Sequence, residues 1–128
     1  MLKKLLVVSV LLLASLVVAS PAHATTPCIH GEFCIYTDSN YSGQQLTWLW
    51  PTGCWNLTNQ FNNTMSSFHW YGDVPATVYD AANCPPISKH LPHYSFPPPA
   101  DIKNLNALPY WPVWNDAVSS VYFGTPPQ

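Results

Sequence analysis

The sequence predicts a small all-β domain stapled by disulfides, and three observations carry that prediction. After residue 24 helix signals are almost absent, and short runs rich in β-branched and aromatic residues lie between turn residues. Four cysteines fall in a short chain that opens with an export signal. A polar hexamer recurs once, and each copy opens an aromatic strand.

The export signal comes first. Lys3 and Lys4 give a positive start, Leu5 to Val18 is almost unbroken apolar sequence, and Ala22-His23-Ala24 places small residues where signal peptidase needs them. A membrane anchor is the competing reading, but the run is shorter than the ~20 residues a spanning helix needs. Residues 1–24 are therefore expected to be a signal peptide, leaving residues 25–128 as one secreted, extracellular domain with no membrane contact after cleavage.

That domain has only Lys89 and Lys103 as basic side chains, against Glu32, Asp38, Asp73, Asp80, Asp101 and Asp116. A chain so poor in cations has no electrostatic grip on phosphate, so nucleic acid and anionic lipid are not expected partners. Low charge could signal disorder, but six Trp, seven Tyr and five Phe can bury a large apolar area.

Cys28, Cys34, Cys54 and Cys84 allow three disulfide pairings. Cys28 with Cys34 closes a short loop and is the favoured pair, which leaves Cys54 with Cys84. A zinc site or a thiol nucleophile is the alternative, disfavoured by an oxidising compartment and by the lack of any CxxC spacing.

The predicted strands are Phe33 to Tyr36, Gln45 to Trp50, Ser67 to Tyr71, Ala76 to Tyr79 and Ser119 to Phe123. Thirteen prolines between and around them remove backbone donors and disfavour helix. Short strands with frequent turns point to a sandwich or barrel. The repeat pairs Asn62-Asn63-Thr64-Met65-Ser66-Ser67 with Asn115-Asp116-Ala117-Val118-Ser119-Ser120, preceded by Phe61 and Trp114. Tyr36-Thr37-Asp38 has a looser echo in Tyr79-Asp80. The spacing from tyrosine to hexamer is 26 residues in the first half and 36 in the second. The second half thus carries about ten extra residues, expected in or beside the proline-rich stretch Cys84 to Pro99.

These residues resemble the βγ-crystallin superfamily. Tyr36-Thr37-Asp38-Ser39-Asn40-Tyr41-Ser42-Gly43 is similar to its folded-hairpin signature: an aromatic, four residues, a second aromatic, one residue, then Gly. Both hexamers are similar to its calcium signature. The resemblance implies two Greek keys, about 28–72 and 74–124, forming a single disulfide-stapled sandwich. The second hairpin departs from the pattern, with Cys84 for the second aromatic and Pro86 for the Gly, and is expected to be altered and tied by a disulfide. The early Cys28 and Cys34 and the run Phe33-Cys34-Ile35-Tyr36 are most similar to the secreted microbial metalloproteinase-inhibitor branch.

By the same resemblance each hexamer would help build a Ca²⁺ site. Asn63 and Asp116 would offer side-chain oxygens, Thr64 and Ala117 carbonyls, and Ser66 and Ser119 hydroxyls, all hard donors suited to Ca²⁺. Asn62, Asn115, Ser67 and Ser120 would hold the loops by local hydrogen bonds. The plainer alternative makes both hexamers turn-formers only. His69 is expected to face outward from a strand. His90 and His93 lack a third ligand at a recognisable spacing. No catalytic set stands out, so an enzyme is not expected.

A protein inhibitor needs an exposed segment already held rigid, so that little entropy is lost on docking. The stretch Cys84 to Pro99 has that character, with Ile87, Leu91, Tyr94 and Phe96 as apolar anchors. The alternative is a connection that covers a sheet edge. The expected function is inhibition of extracellular proteases by a monomer. The alternative is a calcium-binding structural or cell-surface module. Asn40, Asn56 and Asn62 head glycosylation sequons, relevant only in a glycosylating host.

Overall fold

The structure, a computed structural model, describes residues 26–87, 92–108 and 116–128. The expected signal peptide, Leu91, His90, Trp114 and Asn115 lie outside the described residues. Among the described residues no helix is long and apolar enough to cross a membrane.

Strands β1 (Glu32–Asp38), β2 (Ser42–Leu49), β3 (Gly53–Asn56) and β4 (Ser67–Trp70) come from the first half. Strands β5 (Ala76–Tyr79), β6 (His93–Phe96), β7 (Ala100–Ile102) and β8 (Ser120–Phe123) come from the second. They form two antiparallel sheets, ordered β2-β1-β4-β7 and β3-β8-β5-β6. The third strand of each half therefore lies in the sheet of the other half. The chain is an all-β sandwich of two interlocked Greek keys.

Alternation along the strands builds the core. Phe33 and Ile35 of β1, Phe68 and Trp70 of β4, Ala76 and Val78 of β5, and Val121 and Phe123 of β8 all point between the sheets. The Phe33 ring lies 5.0 Å from Phe123 and 5.3 Å from Phe68, so one side chain bridges both sheets. Intervening residues face outward, yet several are also buried. Cys34 is covered by its disulfide, and Tyr36 lies under Tyr41 and His69 at ring distances of 5.7 and 5.8 Å. Gly43 has a φ of +80°, and a Cβ there would meet Thr37 Oγ1 at 2.3 Å, which explains the glycine of the first hairpin signature.

Three strands escaped the sequence reading. β3 is short, mostly exposed and shows no alternation, β7 has three residues, and β6 lies inside the proline-rich stretch. β6 pairs with β5 from Ala76↔Phe96 to Tyr79↔His93, so this part of the stretch is the edge strand of its sheet. The extra length of the second half is split between two connections, 80–92 and 103–119, rather than gathered in one loop.

Cys28 pairs with Cys34 and Cys54 with Cys84, and none of the four thiols is free. The zinc and thiol alternatives fall with that. Cys54 lies on β3 and Cys84 in the β5–β6 connection, so the second bridge ties the two halves together. On the chain-entropy account, cross-links spanning 6 and 30 residues are worth roughly 2.2 and roughly 3.6 kcal/mol. Replacing Cys54 and Cys84 together by Ser should accordingly lower unfolding free energy more than replacing Cys28 and Cys34, by about 1 kcal/mol. Urea unfolding of the two double variants checks the order; equal losses would contradict it.

Candidate functional site

The two hexamers meet at one pole of the sandwich. Asn63 and Asp116 both adopt left-handed backbone, at φ +57° and +59°. The Asn63 N–H donates to Val118 O at 3.0 Å and the Asp116 N–H to Met65 O at 3.3 Å, so each hexamer is bonded to the other. The Ser66 N–H donates to Tyr36 O at 2.9 Å and the Ser119 N–H to Tyr79 O at 2.8 Å, which seats each hexamer on the first strand of its own half.

The side chains then cross. Ser119 Oγ donates to Asn63 Oδ1 at 3.0 Å. Ser66 Oγ lies 2.7 Å from Thr37 O, 3.2 Å from Asp116 Oδ1 and 3.5 Å from Thr64 O. A hydroxyl has one hydrogen, so at least two of these three acceptors face lone pair to lone pair. A surplus of oxygen acceptors around one point is what a hard cation takes up. Asn63, Thr64, Ser66, Asp116 and Ser119 are thus brought together. Ala117 occupies the position in the second hexamer that Thr64 occupies in the first. Asp116 is the one carboxylate among the six, and it is exposed.

The sixth-position serines do a different job, and it is not local. Ser67 Oγ donates to Asp38 O at 2.6 Å and accepts the Tyr41 N–H at 3.0 Å. Ser120 Oγ donates to Ala81 O at 2.6 Å and accepts the Cys84 N–H at 3.1 Å. The two patterns are equivalent residue for residue. Left-handed pairs also match: Asn40 and Tyr41 in the first hairpin, Asn83 and Cys84 in the second. The second hairpin was expected to be altered. Its turn in fact survives without the second aromatic or the glycine, because Ser120 and the disulfide hold the backbone in place.

Around that turn the chain is tightly braced. Asn56 Nδ2 donates to Asn83 Oδ1 at 2.9 Å, and the Asn83 N–H donates to Asn56 Oδ1 at 2.7 Å. The Ile87 N–H donates to Pro127 O at 3.2 Å and the Asp80 N–H to Pro92 O at 3.4 Å. Asp80, Ala82 and Asn83 are nevertheless exposed, and Ile87 is half-buried. Of the other proposed anchors, Phe96 requires correction. It is 4% exposed and packs on Phe68 at 4.9 Å, as a core residue of β6. Tyr94 points the same way and packs against the core. Strand alternation turns both inward, so Phe96 is not offered to a partner, while Tyr94 is half-buried against the core. Leu91 lies outside the described residues. His93 is half-buried on β6, with its ring 6.1 Å from that of Tyr79.

The profile of Peptidase inhibitor family I36 matches residues 21–89, more than half of the chain. The chain belongs to this family. No curated protein is significantly similar to it. Among solved structures, a βγ-crystallin from Ciona intestinalis is similar with a TM-score of 0.56 and 22% identity, covering 73% of this chain and 99% of that one. A structure concerned with the evolution of the eye lens βγ-crystallin domain fold gives a TM-score of 0.61 at 16% identity, over 79% and 92% of the two chains. A βγ-crystallin domain from Flavobacterium johnsoniae gives 0.52 at 25% identity, over 71% and 91%. The I36 chain therefore has the βγ-crystallin fold, and it is an inhibitor-family protein rather than an enzyme.

One cluster in the I36 domain had no signal in the sequence. His69 faces outward from β4, as expected, but Tyr41 stacks over it at 3.6 Å between ring centroids. The β4–β7 register sets His69 opposite Asp101, and their side chains meet at 2.5 Å between His69 Nδ1 and Asp101 Oδ1. The Tyr71 hydroxyl donates to the same carboxylate oxygen at 2.7 Å. Only the pairing of a three-residue strand brings these groups together. Burial alone would raise the Asp101 carboxyl. The hydrogen bonds from Tyr71 and His69, and the nearby charges of His69 and Lys103, outweigh it and hold the group below its ordinary 3.8. The hydrogen bond to Asp101, followed by burial, pushes the Tyr71 phenol up to about 12.

The signs follow by linkage. A raised phenol stabilises the fold below its ordinary 10.0 and loses that contribution as pH climbs toward about 12. A lowered carboxyl stabilises above 3.8 and loses that contribution as pH falls through the lowered value. Asp101→Asn should remove both effects. Spectrophotometric titration of the phenols should then show one tyrosine moving back toward 10.0. An unchanged titration curve would contradict the assignment.

Proposed function

We propose that this chain is a secreted inhibitor of extracellular peptidases that docks through the braced segment 80–87. The observation that carries the reading is an exposed turn held from three sides, by the Cys54–Cys84 bridge, by Ser120 and by Asn56, in a member of a peptidase inhibitor family. Fixing a flexible residue costs about 1–2 kcal/mol of backbone entropy. A turn already fixed by folding, here the five residues 80–84 within that segment, spares most of that cost at docking. Metallopeptidases are the proposed target class, following the resemblance of the cysteine framework to that branch. Export is supported by the pattern of residues 1–24 and by two disulfides, which persist in oxidising compartments. The docking unit is proposed to be a monomer, since every brace on the segment comes from the same chain.

The second reading is a calcium-binding module. It is supported by the surplus of acceptor oxygens at the hexamer pole. When bound, Ca²⁺ would be held by Asp116, Ser66 and the carbonyl of Thr64 on one side, and by Asn63, Ser119 and the carbonyl of Ala117 on the other. The ion would supply positive charge that relieves the repulsion among lone pairs. The two readings are compatible, because Ser119 and Ser120 are consecutive: one lies at the proposed ion, the other holds the docking turn.

Purified residues 25–128, titrated against a panel of metallo-, serine and cysteine peptidases, should inhibit a thermolysin-like enzyme. Ala82→Glu, which alters the tip, and the double variant Pro85→Ala with Pro86→Ala, which loosens it, should each raise the inhibition constant about tenfold or more, with circular dichroism unchanged. Failure across the whole panel rejects the inhibitor reading, whereas wild-type inhibition by both variants moves the docking surface elsewhere. For calcium, sites of ~1 mM affinity should gain roughly 1.4 kcal/mol each at ~10 mM ion, a rise in melting temperature of several degrees. Asp116→Ala should abolish at least half of that rise. No change in melting temperature at ~10 mM leaves the hexamers as turn-formers.

A further inference from the structure

The two halves of the domain match closely at the hexamers and hairpins, so a feature present in one half alone is not demanded by the fold. The Leu57 N–H donates to Ser119 O and the Leu105 N–H to Ser66 O, both at 2.9 Å, which makes Asn56 and Asn104 equivalent positions. Their side chains are used differently. Asn104 Oδ1 accepts from the Asn106 N–H at 2.9 Å and caps its own short turn, Leu105–Ala107. Asn56 instead reaches across to the second hairpin and makes the reciprocal pair with Asn83. The first hairpin has no such side-chain pair from Asn104. There the Asn40 N–H donates to the carbonyl of Lys103 at 2.7 Å.

We infer that Asn56 is a positioning residue for the peptidase-docking turn, setting the conformation of 80–84 without itself meeting the peptidase. The inference rests on the docking role proposed above for this segment. Asn56 lies on β3, opposite Ser120 in the β3–β8 register and two residues from Cys54. Three groups on two adjacent strands therefore converge on one turn. Ser120 holds Ala81 O and the Cys84 N–H, Cys54 holds the Cys84 side chain, and Asn56 holds both the amide and the side chain of Asn83. Ser120 and Cys84 are buried, whereas Asn56 and Asn83 are exposed. The buried groups fix the base of the turn and contribute to the fold. The exposed pair controls the last freely rotating residue before the base, at a left-handed φ of +64°. Its orientation is unambiguous. The Asn83 N–H needs an acceptor, so the Asn56 oxygen faces it, and the Asn56 NH₂ is left for Asn83 Oδ1. Hydrogen bonds at such exposure add little to global stability, so the effect of losing them falls on the shape of the turn.

The test compares Asn56→Ala, Asn56→Asp and Asn104→Ala with the wild type. It measures the inhibition constant against the peptidase the wild type inhibits, the melting temperature, and hydrogen exchange at the Asn83 amide. Asn56→Ala should raise the inhibition constant about tenfold, speed exchange at Asn83 and leave the melting temperature within a few degrees. Asn56→Asp keeps the acceptor for the Asn83 N–H, so it should retain slow exchange and recover part of the inhibition. Asn104→Ala should inhibit like the wild type. If the wild type inhibits and Asn56→Ala matches it, the positioning role is overturned and the docking role stands. It is equally overturned if Asn56→Asp is no better than Asn56→Ala. If the wild type inhibits no peptidase, the docking role fails first and the positioning role falls with it.

Discussion

β3 leaves the sheet built by its own half and runs beside β8, paired from Gly53↔Phe123 to Asn56↔Ser120. β7 makes the reciprocal move beside β4. Neither half can then complete its sheet alone. The exchange also brings residues of the first half against a turn of the second. Cys54 and Asn56 reach Cys84 and Asn83 because β3 lies in the far sheet, and Asp101 reaches His69 and Tyr71 because β7 does the same. Both polar clusters on the two outer faces depend on this one crossing, while the Phe33–Phe123 and Phe68–Phe96 contacts fill the space between the sheets.

The hexamers add a second level of crossing. Their backbones are bonded reciprocally, Asn63 to Val118 and Asp116 to Met65, and their side chains pair across the same axis. Consecutive serines then split the work. The fifth-position Ser66 and Ser119 face the oxygen cluster, and the sixth-position Ser67 and Ser120 face the hairpins. Adjacent residues of an extended chain point to opposite sides, which places each oxygen cluster next to a hairpin along the chain. That turn is exposed in the second half and carries a disulfide there, which is where the family's inhibitory role finds its best support.

The correction to the expected docking anchors concerns one stretch. From Cys84 to Pro99 the sequence shows prolines and apolar side chains, which suits an exposed rigid loop and an edge strand equally well. The structure divides it. Residues 93–96 become β6, and its alternation sends Tyr94 and Phe96 into the core with His93 and Ser95 outward. The exposed and braced part lies earlier, at Asp80 to Asn83, where the sequence showed only a hairpin that had lost its aromatic and its glycine. A motif comparison scores those losses as decay. The backbone is nevertheless kept in the same left-handed pair by Ser120 and the Cys54–Cys84 bridge, a substitution of one kind of restraint for another.

What the residues determine by themselves is local or periodic. Alternation marks β1, β4, β5 and β8, the repeat marks the two halves, and a glycine needing positive φ marks the first hairpin. The disulfide pairing follows once a six-residue loop is preferred for Cys28 and Cys34. Short strands such as β3 and β7 carry too few residues for a period to show, and their identity is set by the partners beside them. The tertiary structure alone decided which hexamer oxygen meets which, that Asn56 reaches Asn83 while Asn104 caps its own turn, and that His69, Tyr71 and Asp101 share one carboxylate. Apart from the local Asn104 cap, these contacts join residues more than 25 positions apart, and no local pattern encodes the distance between two segments that meet only when the sheets close.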